Sequence, residues 1–135
     1  TMTVLTEEMQ IAFKAVKVFP LATASKSGIP NVVPMASVFL IDEKTIWIGD
    51  NFMQKTLANV LENPKAALYV YGAGAKGCLQ IKADVTVKTS GEEHAKMKAM
   101  IQEKKHNLPA KSLLILKITE VYECMPGTEA GKQIG

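Results

Sequence analysis

Six β-rich runs, set between tight turns and short helical segments, constrain this chain more than any other feature. Leu21–Ser25, Ile29–Leu40, Thr45–Ile48, Ala66–Tyr71, Cys78–Thr89 and Ser112–Cys124 carry the β-branched and aromatic residues that suit a pleated, half-buried surface. Lys26-Ser27-Gly28 joins the first two as a hairpin, with glycine where a positive φ is expected. Asp42-Glu43-Lys44 turns the chain into the third. Three segments follow helical spacing. The first is capped by Thr6 and ends near Pro20, the second runs from Gln54 to Asn63, and the third from Gly91 to Lys105. The segment from Gly72 to Gly77 reads as a flexible connection.

Hairpins and short helices between strands predict a mainly antiparallel sheet, since parallel neighbours need long crossovers. A dinucleotide fold is excluded by motif: no GxGxxG follows a strand, and Gly72, Gly74 and Gly77 lead into a strand instead of a helix. The expectation is a small six-stranded antiparallel barrel with helices packed outside. Its 135 residues are the size of one domain, 1–135, and a domain of about 150 residues buries roughly two-thirds of its unfolded surface. With 47% hydrophobic and 21% charged residues, the chain has the balance of a folded domain and not of a disordered one.

A net charge of +3 is mild, and the lysines are dispersed, so no nucleic-acid footprint is expected. All sixteen basic residues are lysine. Any anion must therefore be held by lysine, backbone N–H groups and hydroxyls, because no guanidinium fork exists. No apolar run approaches the ~20 residues of a membrane span, and the first residues lack the layout of a signal peptide; a cytoplasmic location is expected. Cys78 and Cys124 lie far apart, form no CxxC, and read as free buried thiols. His94 and His106 have no metal-ligand partner at useful spacing and read as surface residues, while Met97 and Met100 read as core. Neither a GxSxG elbow nor a base beside a cysteine is present, so covalent and metal-assisted catalysis are not expected.

Two stretches carry binding chemistry. In Ile48-Gly-Asp-Asn-Phe-Met-Gln-Lys-Thr-Leu-Ala-Asn59 a strand ends, a polar loop follows and a helix begins near Gln54. A helix start offers free N–H groups and partial positive charge, to which Lys55 adds a full charge and Thr56 a hydroxyl; a phosphate site or an ordinary exposed helix start both fit. In Gly28-Ile-Pro-Asn-Val-Val-Pro-Met-Ala-Ser37, Pro34 cannot donate to a sheet ladder, so it marks a gap, edge or bulge. Free main chain beside Val33 and Met35 would suit an apolar ring with a polar edge, and an edge strand protected against aggregation fits equally.

The runs Pro20-Leu-Ala-Thr-Ala-Ser-Lys-Ser-Gly-Ile-Pro-Asn-Val-Val-Pro-Met35 and Trp47-Ile-Gly-Asp-Asn-Phe-Met-Gln-Lys-Thr-Leu-Ala-Asn-Val-Leu-Glu-Asn-Pro-Lys-Ala66 closely resemble the FMN-binding split β-barrel superfamily related to pyridoxamine 5′-phosphate oxidase. Within it the chain is most similar to small bacterial and archaeal FMN-binding proteins. The similarity continues through Lys76-Gly-Cys-Leu-Gln-Ile-Lys-Ala-Asp-Val85.

The resemblance implies a split barrel that works as a homodimer with FMN near the subunit interface. By position it implies Val33, Pro34, Met35 and Ala36 along the isoalloxazine ring, Gly49, Asp50 and Asn51 near the ribityl chain, and Gln54, Lys55 and Thr56 on the phosphate. The implied activity is FMN-dependent oxidoreduction with a nicotinamide donor or a protein redox partner; a non-enzymatic electron carrier or flavin store is the alternative. Related barrels that exchange FMN for a deazaflavin or haem form a third class. The true oxidases use arginines for the FMN phosphate and the substrate phosphate. This chain has none, so the resemblance does not carry vitamin B6 oxidation with it.

Overall fold

The computed structural model describes residues 3–71 and 77–135. Most of the expected connection before Cys78, Gly72 to Lys76, lies outside the described residues. In chain order the elements are α1 (Glu7–Lys14), β1 (Phe19–Ala24), β2 (Pro30–Met35), β3 (Val38–Asp42), β4 (Thr45–Asp50), α2 (Lys55–Glu62), β5 (Lys65–Val70), β6 (Leu79–Lys88), α3 (Glu92–Lys104) and β7 (Ser112–Glu123).

The strands form one sheet in the order β2-β1-β5-β6-β7-β4-β3, and every pairing is antiparallel. Its two edges, β2 and β3, are consecutive in sequence and joined by Ala36 and Ser37 alone. A seven-stranded sheet whose edges are two residues apart must curl on itself, yet β2 pairs only with β1 and β3 only with β4. The barrel is closed by covalent chain and left split in its hydrogen bonding. This is the expected fold with seven strands instead of six. The run read as one strand from Ile29 to Leu40 is two, and the break falls just after Pro34, at Ala36 and Ser37. Pro34 itself sits in β2 opposite Pro20 of β1, on an edge where its missing N–H costs no ladder bond.

Local chemistry sets most element ends. Thr6 caps α1 by accepting from the Met9 N–H at 3.2 Å, and Glu7 and Glu8 occupy the positive first turn. The helix stops at Lys14, well short of Pro20, because Phe19 and Pro20 already belong to β1. In the β1–β2 turn Gly28 has φ of 90° and the Ser25 hydroxyl accepts from the Ile29 N–H at 3.0 Å. The turn between β3 and β4 is tied by Asp42, whose carboxylate accepts from the Lys44 N–H at 2.9 Å.

The barrel interior is a single cluster that takes Leu21 from β1, Ile46 and Ile48 from β4, Leu68 and Val70 from β5, Ile81 from β6, and Leu114, Leu116 and Ile118 from β7, all fully buried. α1 adds Ala12 and Phe13, with Phe13 and Phe19 ring centroids 4.6 Å apart. A second cluster lies on the outer faces of β4 and β7, where Met97 and Ile101 of α3 cover Trp47, Leu113 and Ile115. β4 is therefore buried along its whole length, with apolar Ile46, Trp47 and Ile48 at its centre between the buried polar ends Thr45 and Asp50. Removing one such interior leucine costs about 2–5 kcal/mol, the lost transfer energy plus the cavity left behind. Met97 is core, as its spacing predicts, but His94 is not a free surface side chain: half-buried, its Nε2 lies 3.2 Å from the Ala110 carbonyl and 3.1 Å from that of Lys111.

Candidate cofactor cleft at the split of the barrel

Where the two sheet edges fail to pair, the surface opens into a cleft of about 460 Å³. That is within the roughly 300–1,000 Å³ of small-molecule and cofactor sites. One wall is β2 and the link after it: Asn31, Val33, Pro34, Met35, Ala36 and Ser37. The other is the end of β4 and the start of α2: Gly49, Asn51, Phe52, Met53, Gln54, Lys55 and Thr56, with Leu108 closing one side. Period-two geometry explains the first wall, since Asn31, Val33 and Met35 are the half-buried members of an alternating strand while Pro30, Val32 and Pro34 are exposed.

Nine of the ten residues expected at a flavin site border this one cleft: Val33, Pro34, Met35, Ala36, Gly49, Asn51, Gln54, Lys55 and Thr56. Asp50 does not. Its side chain is fully buried, with one carboxylate oxygen accepting from the Met53 N–H at 2.9 Å and the other from the Ser112 hydroxyl at 2.7 Å. Asp50 holds the loop from behind and does not line the cleft, and spacing alone could not show this because its partner Ser112 lies 62 positions along the chain. Gly49 has a structural duty as well. A Cβ there would lie 2.1 Å from the Ile101 Cδ1, so its missing side chain is what lets α3 pack against β4.

Asn31 and Ser37 were not singled out from sequence, and both are polar anchors. The Asn31 amide donates to the Thr56 hydroxyl at 3.1 Å and to the Thr23 hydroxyl at 3.2 Å, and Asn59 of α2 donates to the same Thr23 oxygen at 3.0 Å. The Asn51 amide donates to the Ser37 hydroxyl at 3.2 Å, while its oxygen accepts from the Ala110 N–H at 3.0 Å. Phe52, 74% exposed on the rim, and Leu108, delivered by the segment after α3, were also unforeseen. An apolar residue inside the polar loop is the signal that could have pointed to Phe52; nothing local marks Leu108.

The three helix starts differ. α1 has a side-chain cap and two glutamates, and α3 has Glu92 and Glu93 in its first turn. α2 has neither a side-chain cap at Gln54 nor an acidic residue in its first turn. Its N–H groups and the positive end of its dipole face the cleft with Lys55 and Thr56 beside them. Lys55 is exposed and Thr56 is buried. Because the Thr56 oxygen accepts from Asn31, its hydrogen is left for another acceptor. Among the described residues, Lys55 is the one ionisable side chain lining the cleft. The donor set suits a phosphate at one end, and the faces of Val33, Pro34, Met35 and Leu108 suit a flat apolar ring.

An antiparallel split barrel with a cleft of cofactor size at its split defines a class of small cofactor-binding domain. Residues 5–125 match the pyridoxamine 5′-phosphate oxidase family, and the chain belongs to that family within the FMN-binding split-barrel superfamily. An uncharacterized protein of Methanocaldococcus jannaschii, MJ0282, is 40% identical over 133 residues, covering 96% of this chain and 87% of its own. HupZ of Group A Streptococcus superposes with a TM-score of 0.81 at 21% identity, over 97% of this chain and 99% of that one. An FMN-binding protein of Syntrophomonas wolfei gives 0.71 at 19%, over 83% and 80%. HutZ, the heme storage protein of Vibrio cholerae, gives 0.66 at 17%, over 90% and 95%. At these identities the solved structures establish the shared fold. No helix among the described residues is long and apolar enough to cross a membrane.

Proposed function

We propose that this chain binds FMN in the cleft and serves as an FMN-dependent oxidoreductase, working as a homodimer with the flavin near the subunit interface. The observation that carries the reading is the pairing, in one cleft, of an apolar edge-strand wall with an uncapped helix start bearing Lys55 and Thr56. Val33, Pro34 and Met35 would lie against the ring, Asn51 and the Gly49 main chain beside the ribityl chain, and Gln54, Lys55 and Thr56 on the phosphate. The flavin supplies hydride or electron transfer, and the protein supplies orientation and electrostatics.

The cleft lining also favours a second reading. With Lys55 as its one ionisable side chain among the described residues, this protomer brings no carboxylate or histidine to the cleft to act as acid or base toward an organic substrate. A non-enzymatic electron carrier or flavin store needs none.

The absorption spectrum of the purified protein, followed by titration with FMN and riboflavin, tests the cofactor. Flavin bands and at least about tenfold preference for FMN support the reading, because charge-assisted phosphate bonds contribute roughly 1.5–3 kcal/mol each. A Soret band, a deazaflavin spectrum or equal affinity for the two flavins overturns it. Reduction of bound flavin by NAD(P)H with turnover of an acceptor separates oxidoreductase from carrier. Light scattering tests the assembly: a dimer whose melting temperature rises with FMN is expected, since a ligand bound only by the folded dimer stabilises it.

A further inference from the structure

Cys78 and Cys124 are distant in sequence, yet the fold makes them neighbours. β6 and β7 pair with Leu79 opposite Glu123, so the next pair outward is Cys78 opposite Cys124. The Cys124 N–H donates to the Cys78 carbonyl at 2.7 Å, which marks a hydrogen-bonded pair of an antiparallel ladder. Opposed residues of that kind have Cα atoms about 5.5 Å apart, within the roughly 4.4–6.8 Å that a disulfide spans. Directly opposed side chains also leave the sheet on the same face.

The surroundings fit. Both thiols are free; Cys78 is buried and Cys124 is half-buried. The Cys78 thiol donates to the Tyr69 hydroxyl at 3.1 Å, and Tyr69 is pushed up to about 12, first by that hydrogen bond and then by burial. Cys124 is raised above the ordinary thiol value, first by burial and then by the Cys78 sulfur beside it. Neither cysteine lines the cleft.

We propose that Cys78 and Cys124 form a reversible cross-strand disulfide, a redox site separate from the cofactor cleft. The oxidant is a low-molecular-weight disulfide, RSSR. Cys124, the more exposed thiol, gives up its proton and its sulfur attacks one sulfur of RSSR; a mixed disulfide forms and one RS⁻ leaves, taking up the proton as RSH. Cys78 then gives up its proton, attacks the Cys124 sulfur and expels the second RS⁻. Two protein thiols are oxidised by two electrons to one disulfide, and one RSSR is reduced to two RSH. Excess thiol reverses both steps. The raised Cys124 thiol makes exchange faster as pH increases, since the thiolate is the nucleophile.

The bond would fasten the start of β6 to the end of β7 and remove the thiol hydrogen now donated to Tyr69. The full-length protein is equilibrated with glutathione disulfide, quenched with acid, unfolded, alkylated and weighed. Loss of two hydrogens per chain, a peptide cross-link from Cys78 to Cys124 and a melting temperature roughly 5–15 °C higher than the reduced form are expected. Cys78→Ser should stop at a glutathione adduct on Cys124, and Cys124→Ser should leave Cys78 unmodified. Wild-type chains that keep both thiols alkylatable, carry one glutathione on each cysteine, or link only chain to chain overturn the proposal. So does a Cys124→Ser protein glutathionylated at Cys78 as fast as the wild type is oxidised.

Discussion

Asn31 of β2 donates its side-chain amide to the Thr56 hydroxyl of α2 at 3.1 Å, joining two residues that are 25 positions apart. This bond ties the edge-strand wall of the cleft to the helix start opposite. It also fixes which way the threonine can donate. Asn31→Ala should cost about 1 kcal/mol of stability, and should weaken FMN roughly three- to tenfold by freeing the Thr56 hydroxyl to turn, with little effect on riboflavin. Parallel titrations with the two flavins check it; an equal loss for both would place Asn31 at the ring and not behind the phosphate.

Lys55 is the one cationic side chain on the cleft among the described residues, and the sequence contains no arginine to stand in for it. Lys55→Ala should reduce FMN affinity by ten- to a hundredfold, about 1.5–3 kcal/mol, and leave riboflavin affinity nearly unchanged. Stability without flavin should barely move, because an exposed lysine at a helix start packs little and opposes the dipole. Denaturation of the flavin-free variant and the two titrations decide the matter together.

Asp50 is predicted to matter for folding before binding. Asp50→Ala leaves the Met53 N–H and the Ser112 hydroxyl without their buried acceptor, and should destabilise the protein by about 2–4 kcal/mol. Ser112→Ala removes one donor only and should cost less. Urea unfolding of both variants measures this, and a neutral Asp50→Ala would show that the carboxylate is not what holds the loop.

Gly49→Ala tests the seam between α3 and the barrel. The new methyl would lie 2.1 Å from the Ile101 Cδ1, and Ile101 is itself buried against Met97 and Trp47. Overpacking of this kind costs about 1–3 kcal/mol. Gly49→Ala with Ile101→Val should recover part of that loss, which thermal melts of the single and double variants would show.

Asp42 makes the stability depend on acid. The Lys44 N–H it accepts, then Thr45 and the charges of Lys44 and Lys117, hold its carboxyl below the usual 3.8, although slight burial pulls the other way. A carboxyl with a depressed folded pKa stabilises the fold above its unfolded value and loses that contribution as pH falls through the folded one. The loss is therefore expected below about pH 4. Asp42→Asn, which can still accept from Lys44, should flatten this part of the stability profile between pH 5 and 2. The effect will be small because the side chain is exposed and screened.

Local chemistry determined a good deal. The Thr6 cap, Gly28 in its turn, the Asp42 turn, the helical spacing of α2 and α3 and the proline in an edge strand are all interactions between residues close in the chain, and each is legible from residue type and spacing. So was the helix start that borders the cleft, because a lysine and a threonine in a first helical turn are a local object. Tertiary structure decided what depends on residues distant in sequence. The long run ending at Leu40 is two strands because the sheet must curl until its edges meet at Ala36 and Ser37. Asp50 turns inward because Ser112, far along the chain, supplies its donor. Gly49 is small because Ile101 arrives over it, and Cys78 meets Cys124 because the register of β6 on β7 puts them opposite. Those pairings are set by how the barrel buries its apolar faces, and one residue of slip in any ladder would send them to opposite sides of the sheet.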